Sequence, residues 1–308
     1  MGHVKNLWRK IVPNPLDVQL KRAAKKNSKR FLITWNRGLG DISLGIYGLI
    51  YRIREIIPDA ELTFLTRKDL EPGFHLLQNV KVFAVSEWKR GMPFDLEETL
   101  AGLNISSHDF DWVFENPDLT WWMRWQLGKL TPRLFWNTDW DGLWKRFGLQ
   151  ENVHYVGVHV QTETQYKYEK NWPLHYWIDL FKGLIQMHNC QVILFGFQPI
   201  PPINLEGVID LRGKTDLFEV LSIVKNRCSF LVVPDSGILS LIYYLDVAFP
   251  LKVISLWADP RQGVLKQNVM SPNSQLVHTP LIAKKGNLRN IEIEEVLKCL
   301  FQKEGIQC

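Results

Sequence analysis

Short apolar runs rich in β-branched and aromatic residues alternate with amphipathic stretches along most of the chain. The runs have the length of buried strands, and the stretches between them have helical spacing. Strands separated by helices are typical of a parallel sheet with right-handed crossovers. In the first half the pattern predicts a helix over 42–57 and strands over 30–35, 61–66, 80–85, 110–115 and 132–136.

The pattern pauses in a Trp- and Asp-rich segment, 137–154, and then restarts. The second half has predicted helices over 174–187, 216–226 and 291–302, and strands over 155–160, 190–196, 208–211, 229–234 and 252–257. A chain of 308 residues is long for a single core, so we predict one domain over 30–150 and another over 151–308. The predicted fold class is α/β, with two doubly wound Rossmann-like domains facing each other across a cleft at their strand carboxyl ends.

Positive charge is concentrated at the start of the chain, where we predict a basic leader over 1–29. Residues 1–30 carry nine basic groups and one acid, whereas the whole chain has a net charge of +5. The remainder is therefore net acidic and has no broad basic stripe for nucleic acid. Leu7, Trp8, Leu16 and Leu20 are interleaved with the leader charges. This favours an anionic membrane surface as a partner, with a disordered tail or an RNA contact as open alternatives.

The sequence pattern indicates a cytoplasmic protein, peripheral on the inner membrane through the leader. No apolar run reaches the roughly 18 residues of a membrane span, and the start lacks the apolar region of a secretory signal. The four cysteines form no CxxC pair, so we expect reduced thiols and no structural zinc.

The first candidate site is the turn Asn36-Arg37-Gly38-Leu39-Gly40-Asp41, between a strand and a helix. Glycines bring backbone amides close to a ligand, and the positive helix N-terminus favours anions. An ordinary helix cap by Asp41 explains the same residues equally well. The dinucleotide fingerprint is not met, because Ser43 occupies the third glycine position, and this disfavours NAD.

Two further candidate segments lie in the second half. In Glu169-Lys170-Asn171-Trp172-Pro173, Pro173 fits the first turn of a helix and Lys170 is placed to neutralise a diphosphate, unless it is an ordinary surface lysine. In Val233-Pro234-Asp235-Ser236-Gly237, a turn between an apolar strand and a helix presents backbone amides to a phosphate, or is an ordinary capping turn.

These segments, in this order, resemble glycosyltransferase family 9, the lipopolysaccharide heptosyltransferase family. The chain has a GLGD turn, a KxWP segment and a DSG turn, and it matches further at Gly196, at 211–215 and at 257–260. The resemblance covers about residues 30–300. It implies a GT-B fold and inverting transfer from a nucleotide-diphosphate sugar to a glycan or glycolipid acceptor, without a metal or another cofactor.

The resemblance also implies roles for individual residues. Asp41 is the expected general base, and Arg37, Gly38 and Gly40 of its turn are expected to bind substrate. The residues expected to hold the donor are Thr162, Thr164, Lys170, Gly196, Asp235, Ser236, Gly237 and Ser240. The family pattern continues DSGxxH, but here Ser240 stands in the histidine's place, and Leu44-Gly45-Ile46 replaces the family's proline.

A serine donates a hydrogen bond but carries no positive charge. Ser240 therefore leaves open a sugar-nucleotide-binding protein without turnover, and a sugar-nucleotide epimerase on the same architecture is a third hypothesis. The first hypothesis is transfer of a heptose-like sugar to lipopolysaccharide or another envelope glycan, with Asp41 as the base.

Overall fold

The computed structural model describes residues 13–162, 169–188, 190–197 and 202–301. The chain divides after Pro132 into two compact units. The division lies earlier than the predicted boundary near residue 150, because the Trp- and Asp-rich segment packs within the second unit. There, the Trp140 and Phe218 rings stack with centroids 4.2 Å apart.

The first unit is built on a four-stranded parallel sheet in the order β3-β2-β1-β4. The register pairs Arg30 with Glu61 and Phe31 with Trp112. The elements are α1 (Pro15–Lys25), β1 (Arg30–Trp35), a π-helical turn (Ile42–Ile46), α2 (Tyr47–Ile56), β2 (Glu61–Arg67), α3 (Glu71–Phe74), β3 (Val80–Val85), α4 (Leu96–Gly102), β4 (Trp112–Glu115), α5 (Leu119–Trp122) and a 3-10 turn (Met123–Gln126).

The second unit contains a six-stranded parallel sheet in the order β10-β9-β8-β5-β6-β7. Its elements are a 3-10 segment (Thr138–Phe147), β5 (Tyr155–His159), α6 (Leu174–His188), β6 (Gln191–Phe195), β7 (Val208–Asp210), α7 (Leu217–Arg227), β8 (Cys228–Pro234), α8 (Gly237–Tyr243), β9 (Leu251–Trp257), α9 (Gly263–Gln267), β10 (Leu276–Ile282) and α10 (Ile293–Phe301). Alternate residues of β5, among them Val156 and Val158, are fully buried in a core with Trp177 and Leu180 of α6.

Two strand predictions differ from the structure. The strand predicted over 132–136 is wrong, because only Leu134 forms a bridge, with Leu245. Residues 132–136 alternate buried and exposed positions as a strand does. No neighbouring strand pairs with this run beyond the single bridge at Leu134. The sequence pattern also missed β10, an edge strand in which His278, Thr279 and Pro280 interrupt the apolar run.

Part of the predicted leader, Pro15–Lys25, is folded into the first unit as α1. Its residues Leu16, Leu20 and Ala23 are fully buried. Asp17 pairs with Arg52 of α2, with Arg52 Nε 2.8 Å from Asp17 Oδ1. Leu16 and Leu20 therefore face the protein core rather than a membrane, because their apolar surface is already buried. Residues 1–12, which contain Leu7 and Trp8, lie outside the described residues.

Within the part of the chain that the structure describes, no helix is both long enough and apolar enough to cross a membrane. Cys190 and Cys228 are buried and form no disulfide, as predicted. Cys299 differs from the prediction because it is disulfide-bonded.

Candidate functional site

The first candidate turn, 36–41, begins where β1 ends. Asn36 is 1% exposed, and its Nδ2 donates to the Met92 carbonyl over 2.8 Å. Its backbone N–H donates to Asn116 Oδ1 over 3.4 Å. Met92 follows β3 and Asn116 follows β4, so the turn is anchored to loops at the carboxyl edge of the parallel sheet. Ligands of open α/β sheets bind at this edge.

Asp41 ends this turn, and its carboxylate folds back over it. Oδ2 accepts a hydrogen bond from the Gly38 N–H over 3.1 Å. A Cβ at position 38 would lie 2.8 Å from the same oxygen, so the contact depends on the glycine. The carboxylate caps none of the described amides of the following helix. Asp41 therefore occupies the cap position without performing the cap function.

The other residues of the turn have separate surroundings. The Gly40 carbonyl accepts the Leu44 N–H over 3.0 Å and so starts the helix. Arg37 is exposed, with its guanidinium carbon 5.8 Å from the Trp35 ring centroid. Arg90, which the sequence reasoning missed, lies beside Gly38, with Nη2 3.7 Å from the position of a Cβ there. Arg90 follows β3 in a loop that also contains Lys89, and these adjacent basic residues could have indicated an anion site from the sequence.

In the second unit, Lys170 and Asp235 meet although 65 residues separate them in sequence. Lys170 Nζ lies 2.7 Å from Asp235 Oδ2, and the two side chains are 11% and 8% exposed. The lysine is thus a partner in a nearly buried ion pair rather than a solvated surface group. Each residue comes from a different predicted motif, and both follow strands of the parallel sheet.

Trp172 anchors the lysine segment, as the motif predicts. It is 2% exposed, with its ring centroid 5.2 Å from that of Tyr176 and 5.1 Å from that of Trp177. Pro173 directly precedes α6, and its carbonyl accepts the Tyr176 N–H over 3.0 Å. Trp172 and Pro173 thus tie the end of the lysine segment to α6.

The loop after β5 is tied to the same segment. The Thr162 N–H donates to Asn171 Oδ1 over 2.8 Å, and Asn171 Nδ2 donates to the Thr162 carbonyl over 3.1 Å. These two hydrogen bonds hold Thr162 against Asn171, the residue that follows Lys170. Thr164, the other predicted threonine, lies outside the described residues.

In the DSG turn, Ser236 caps α8, and its Oγ accepts the Leu239 N–H over 3.2 Å. Gly237 is the first residue of that helix. Ser240 is 2% exposed, and its hydroxyl donates to the Ser236 carbonyl over 3.1 Å. The serine at the family's histidine position is therefore used inside the helix, because its hydroxyl already has a backbone partner.

Gly196 follows β6 with a φ of +153°, a conformation that only glycine adopts readily. Arg212 packs against it, with Cγ 3.3 Å from where a Cβ would be, and is fixed by Asp210 over 2.7 Å. The turn at Gly196 directs Phe197 out of the protein, and its side chain is 79% exposed. Phe197 was not among the predicted residues, because an aromatic next to a buried strand indicates core by itself.

His159 ends β5 at the same edge. Burial lowers the pKa of its imidazole to about 4, so the ring is neutral at physiological pH. Its Nδ1 is buried and has no hydrogen-bond partner among the described residues.

A cavity of about 570 Å³ adjoins the lysine segment, where β9 and β10 end. Glu169, Asp259, Arg261 and Lys285 are among its lining residues. Arg261 donates to Asp259 and lowers the pKa of that carboxyl to about 2. No three His, Cys, Asp or Glu side chains in the described ranges are grouped to hold a metal ion.

No protein-family model matches the sequence, and no curated protein is significantly similar to it. Solved structures are similar. A glycosyl transferase family 9 protein from Veillonella parvula is 16% identical, with 88% of this chain and 95% of that chain covered and a TM-score of 0.57. The chain has the heptosyltransferase fold. The E. coli ADP-heptose lipopolysaccharide heptosyltransferase II is also 16% identical, with 88% and 97% covered and a TM-score of 0.61.

A third similar structure is an E. coli heptosyltransferase solved with ADP, 15% identical, with 87% and 96% covered and a TM-score of 0.50. At these identities the comparisons establish the fold. They confirm the predicted α/β class with two Rossmann-like sheets, and they agree with the resemblance that the three motifs carry.

Proposed function

We propose that this protein is an inverting glycosyltransferase that moves a heptose-like sugar from a nucleotide-diphosphate donor to an envelope glycolipid. The observation that carries the proposal is the pairing of Lys170 with Asp235 at the carboxyl edge of the second sheet, in a chain with the heptosyltransferase fold. Two separate motifs of the resemblance converge in this pair.

The second unit binds the donor in this proposal. An ammonium group carries a full positive charge and three N–H donors, so Lys170, 2.7 Å from Asp235, can neutralise the charge of a diphosphate. Asp235 is itself an anion and repels phosphate, so its part is to hold the lysine in place. The Ser236 and Gly237 amides, Thr162 and the turn at Gly196 complete the donor side. Ser240 takes no part, because its hydroxyl is bonded within α8.

The first unit supplies the base. An acceptor hydroxyl is a poor nucleophile near neutral pH, and a positioned carboxylate that takes its proton during attack contributes about 10² to 10⁴ in rate. Asp41 has a carboxylate fixed by the Gly38 N–H at the carboxyl edge of its sheet. The leaving diphosphate is stabilised by Lys170, an electrostatic contribution that commonly dominates barrier lowering.

Membrane association also belongs to this proposal, since a glycolipid acceptor lies at a membrane. Lys21, Arg22, Lys25 and Lys26 are exposed on α1 and just after it. Basic groups at an anionic surface contribute about 1 kcal/mol each. The basic face of α1, together with residues 1–12, would hold the protein at the cytoplasmic face of the inner membrane.

Asp41→Asn tests the mechanism. The amide oxygen of asparagine still accepts the Gly38 N–H, so the turn keeps its shape, but the base is removed. We expect transfer from ADP-heptose to heptose-free lipopolysaccharide to slow at least about a hundredfold, with an unchanged melting temperature and ADP affinity. NMR of the product sugar should show an inverted anomeric centre.

Normal turnover by Asp41→Asn would remove Asp41 as the base. A product with retained configuration would contradict direct displacement. If the parent protein binds ADP-heptose but forms no product with any acceptor, it is a binding protein rather than a transferase.

A further inference from the structure

The helix that follows Asp41 does not begin as an α-helix. Residues Ile42–Ile46 form a π-helical turn, in which the Tyr47 N–H donates to the Ile42 carbonyl five residues earlier. Such a turn holds one residue more than an α-helical turn. Because each residue of an α-helix rotates the chain by about 100°, the extra residue sets the direction in which Asp41 leaves the helix.

A side chain distant in sequence is inserted against this turn. Gln126 is 1% exposed, and its Nε2 donates to the Leu44 carbonyl, in the middle of the π-turn, over 2.7 Å. Its other amide atom, Oε1, is buried with no hydrogen-bond partner among the described residues. A half-satisfied buried amide is unfavourable for stability, because buried polar groups are normally paired.

The helix makes room for this amide at Gly48. A Cβ at position 48 would overlap Gln126 Oε1 and would lie 3.3 Å from Met123 Sδ. Glycine inside a helix is unfavourable relative to alanine. Both the glycine and the unpaired amide oxygen therefore lower local stability. In return, they let the Gln126 amide approach closely enough to donate to the Leu44 carbonyl of the π-turn.

We propose that Gln126 is a positioning residue for Asp41, and that it acts by holding the π-turn Ile42–Ile46. The inference rests on the proposed function, in which Asp41 is the base. Side chains inserted into a helix ladder cause local distortion of the helix, and π-turns occur frequently at functional sites. Without the Gln126 donor, the segment relaxes toward α-helix and Asp41 turns away from its working direction.

Gly48→Ala separates this role from a purely structural one. The added methyl displaces the Gln126 amide, and the helix propensity of alanine offsets part of the cost of overpacking, so we expect a folded protein whose kcat for transfer from ADP-heptose falls about tenfold or more. The KM for ADP-heptose should stay within about twofold, because the proposed donor residues are in the second unit. Gly102→Ala is the matched control, since a Cβ there has no neighbour within 4 Å and both constants should stay at parent values.

Two substitutions at position 126 give a second readout. Gln126→Leu removes the donor and should lower kcat at every pH. Gln126→Glu donates to the Leu44 carbonyl only while its carboxyl is protonated, and burial raises the pKa of such a group. The ratio of its kcat to that of the parent should therefore fall as pH rises, whereas the ratio for Gln126→Leu should be flat. Amide hydrogen exchange over 41–47 should be faster in Gly48→Ala and Gln126→Leu than in the parent.

Parent-like kcat in Gly48→Ala, or a flat ratio in Gln126→Glu, would overturn the positioning role. If Asp41→Asn is inactive while these variants are normal, only this inference fails. If Asp41→Asn turns over normally, the proposed base fails, and the role of Gln126 fails with it.

Discussion

At the scale of single residues, the ion pair of Lys170 and Asp235 determines how the second unit binds an anion. Both side chains are about nine-tenths buried, and removing one partner of a buried pair leaves an uncompensated charge. A lysine variant therefore cannot be expected to leave stability untouched. Comparing a variant of Lys170 with a variant of Asp235 separates the role of the lysine in ligand binding from its role in stability.

Lys170→Met and Asp235→Asn both break the ion pair, so both should lower the free energy of unfolding, by about 3 to 5 kcal/mol for the more damaging one. Their effects on ADP affinity should have opposite signs. Lys170→Met removes the cation and should weaken ADP binding about tenfold or more. Asp235→Asn keeps a side-chain oxygen that can accept from the ammonium group and hold it in place, but removes the negative charge that repels phosphate, so ADP binding should be equal or tighter. Calorimetric titration with ADP gives both affinities.

If both variants lose ADP binding equally, the pair is structural and Lys170 does not contact phosphate. If neither changes the affinity, the phosphate site lies elsewhere on the second sheet.

At the scale of elements, the unit β5-α6-β6 has the order of a mononucleotide-binding half. In such units the phosphates lie after the first strand, and a residue at the end of the second strand meets the ribose. Lys170 follows β5, and Phe197 follows β6. Phe195 and Phe197 would share a strand face, but Gly196 at φ +153° turns the chain, so Phe195 is 1% exposed and Phe197 is 79% exposed.

We expect Phe197 to stack on the base of the donor, a contact of about 1 to 3 kcal/mol for an aromatic side chain. Phe197→Ala should then weaken ADP binding about tenfold, with no effect on inorganic pyrophosphate. Met270→Ala is the control, because Met270 is equally exposed, at 82%, and precedes β10 at the opposite sheet edge. An ADP dissociation constant equal to that of the parent would show that the base does not contact this ring.

The helical elements show the same dependence on neighbours. A helix after Asp41 was correctly predicted from its spacing, but its first turn is a π-turn braced by Gln126. Helical periodicity indicates which face is apolar, and it does not register one extra residue held by a distant amide. α1 is amphipathic in the same way, and its apolar face is covered by the first unit.

At the scale of the whole molecule, folding leaves the basic side chains of α1 exposed while it buries the apolar ones. The exposed bases of α1 remain available after its apolar residues are buried, so electrostatic attraction is the membrane contribution that survives. Such attraction is screened by salt over about 10 Å at 0.1 M.

Reversal of Lys21 and Lys25 to glutamate should reduce sedimentation with phosphatidylglycerol vesicles at low salt, and deletion of residues 1–12 should reduce it further. Reversal of the exposed Lys129 and Lys145 is the matched control with the same charge change. Phosphatidylcholine vesicles should not retain any of these proteins. Unchanged sedimentation after both the reversal and the deletion would contradict the membrane contact.

The sequence by itself determined the fold class, nine of the ten strands and the three turns, because apolar periodicity and glycine positions are local properties. It also placed Asp41 and Lys170 in the loops that follow β1 and β5, at the edge where α/β ligands bind. The tertiary structure decided what local patterns do not contain. It paired Lys170 with Asp235, placed Gln126 against the turn of Asp41, turned Ser240 into the helix and buried the apolar face of α1. Each of these depends on a partner distant in sequence, since hydrogen bonds and burial are set by the neighbours that the fold brings together.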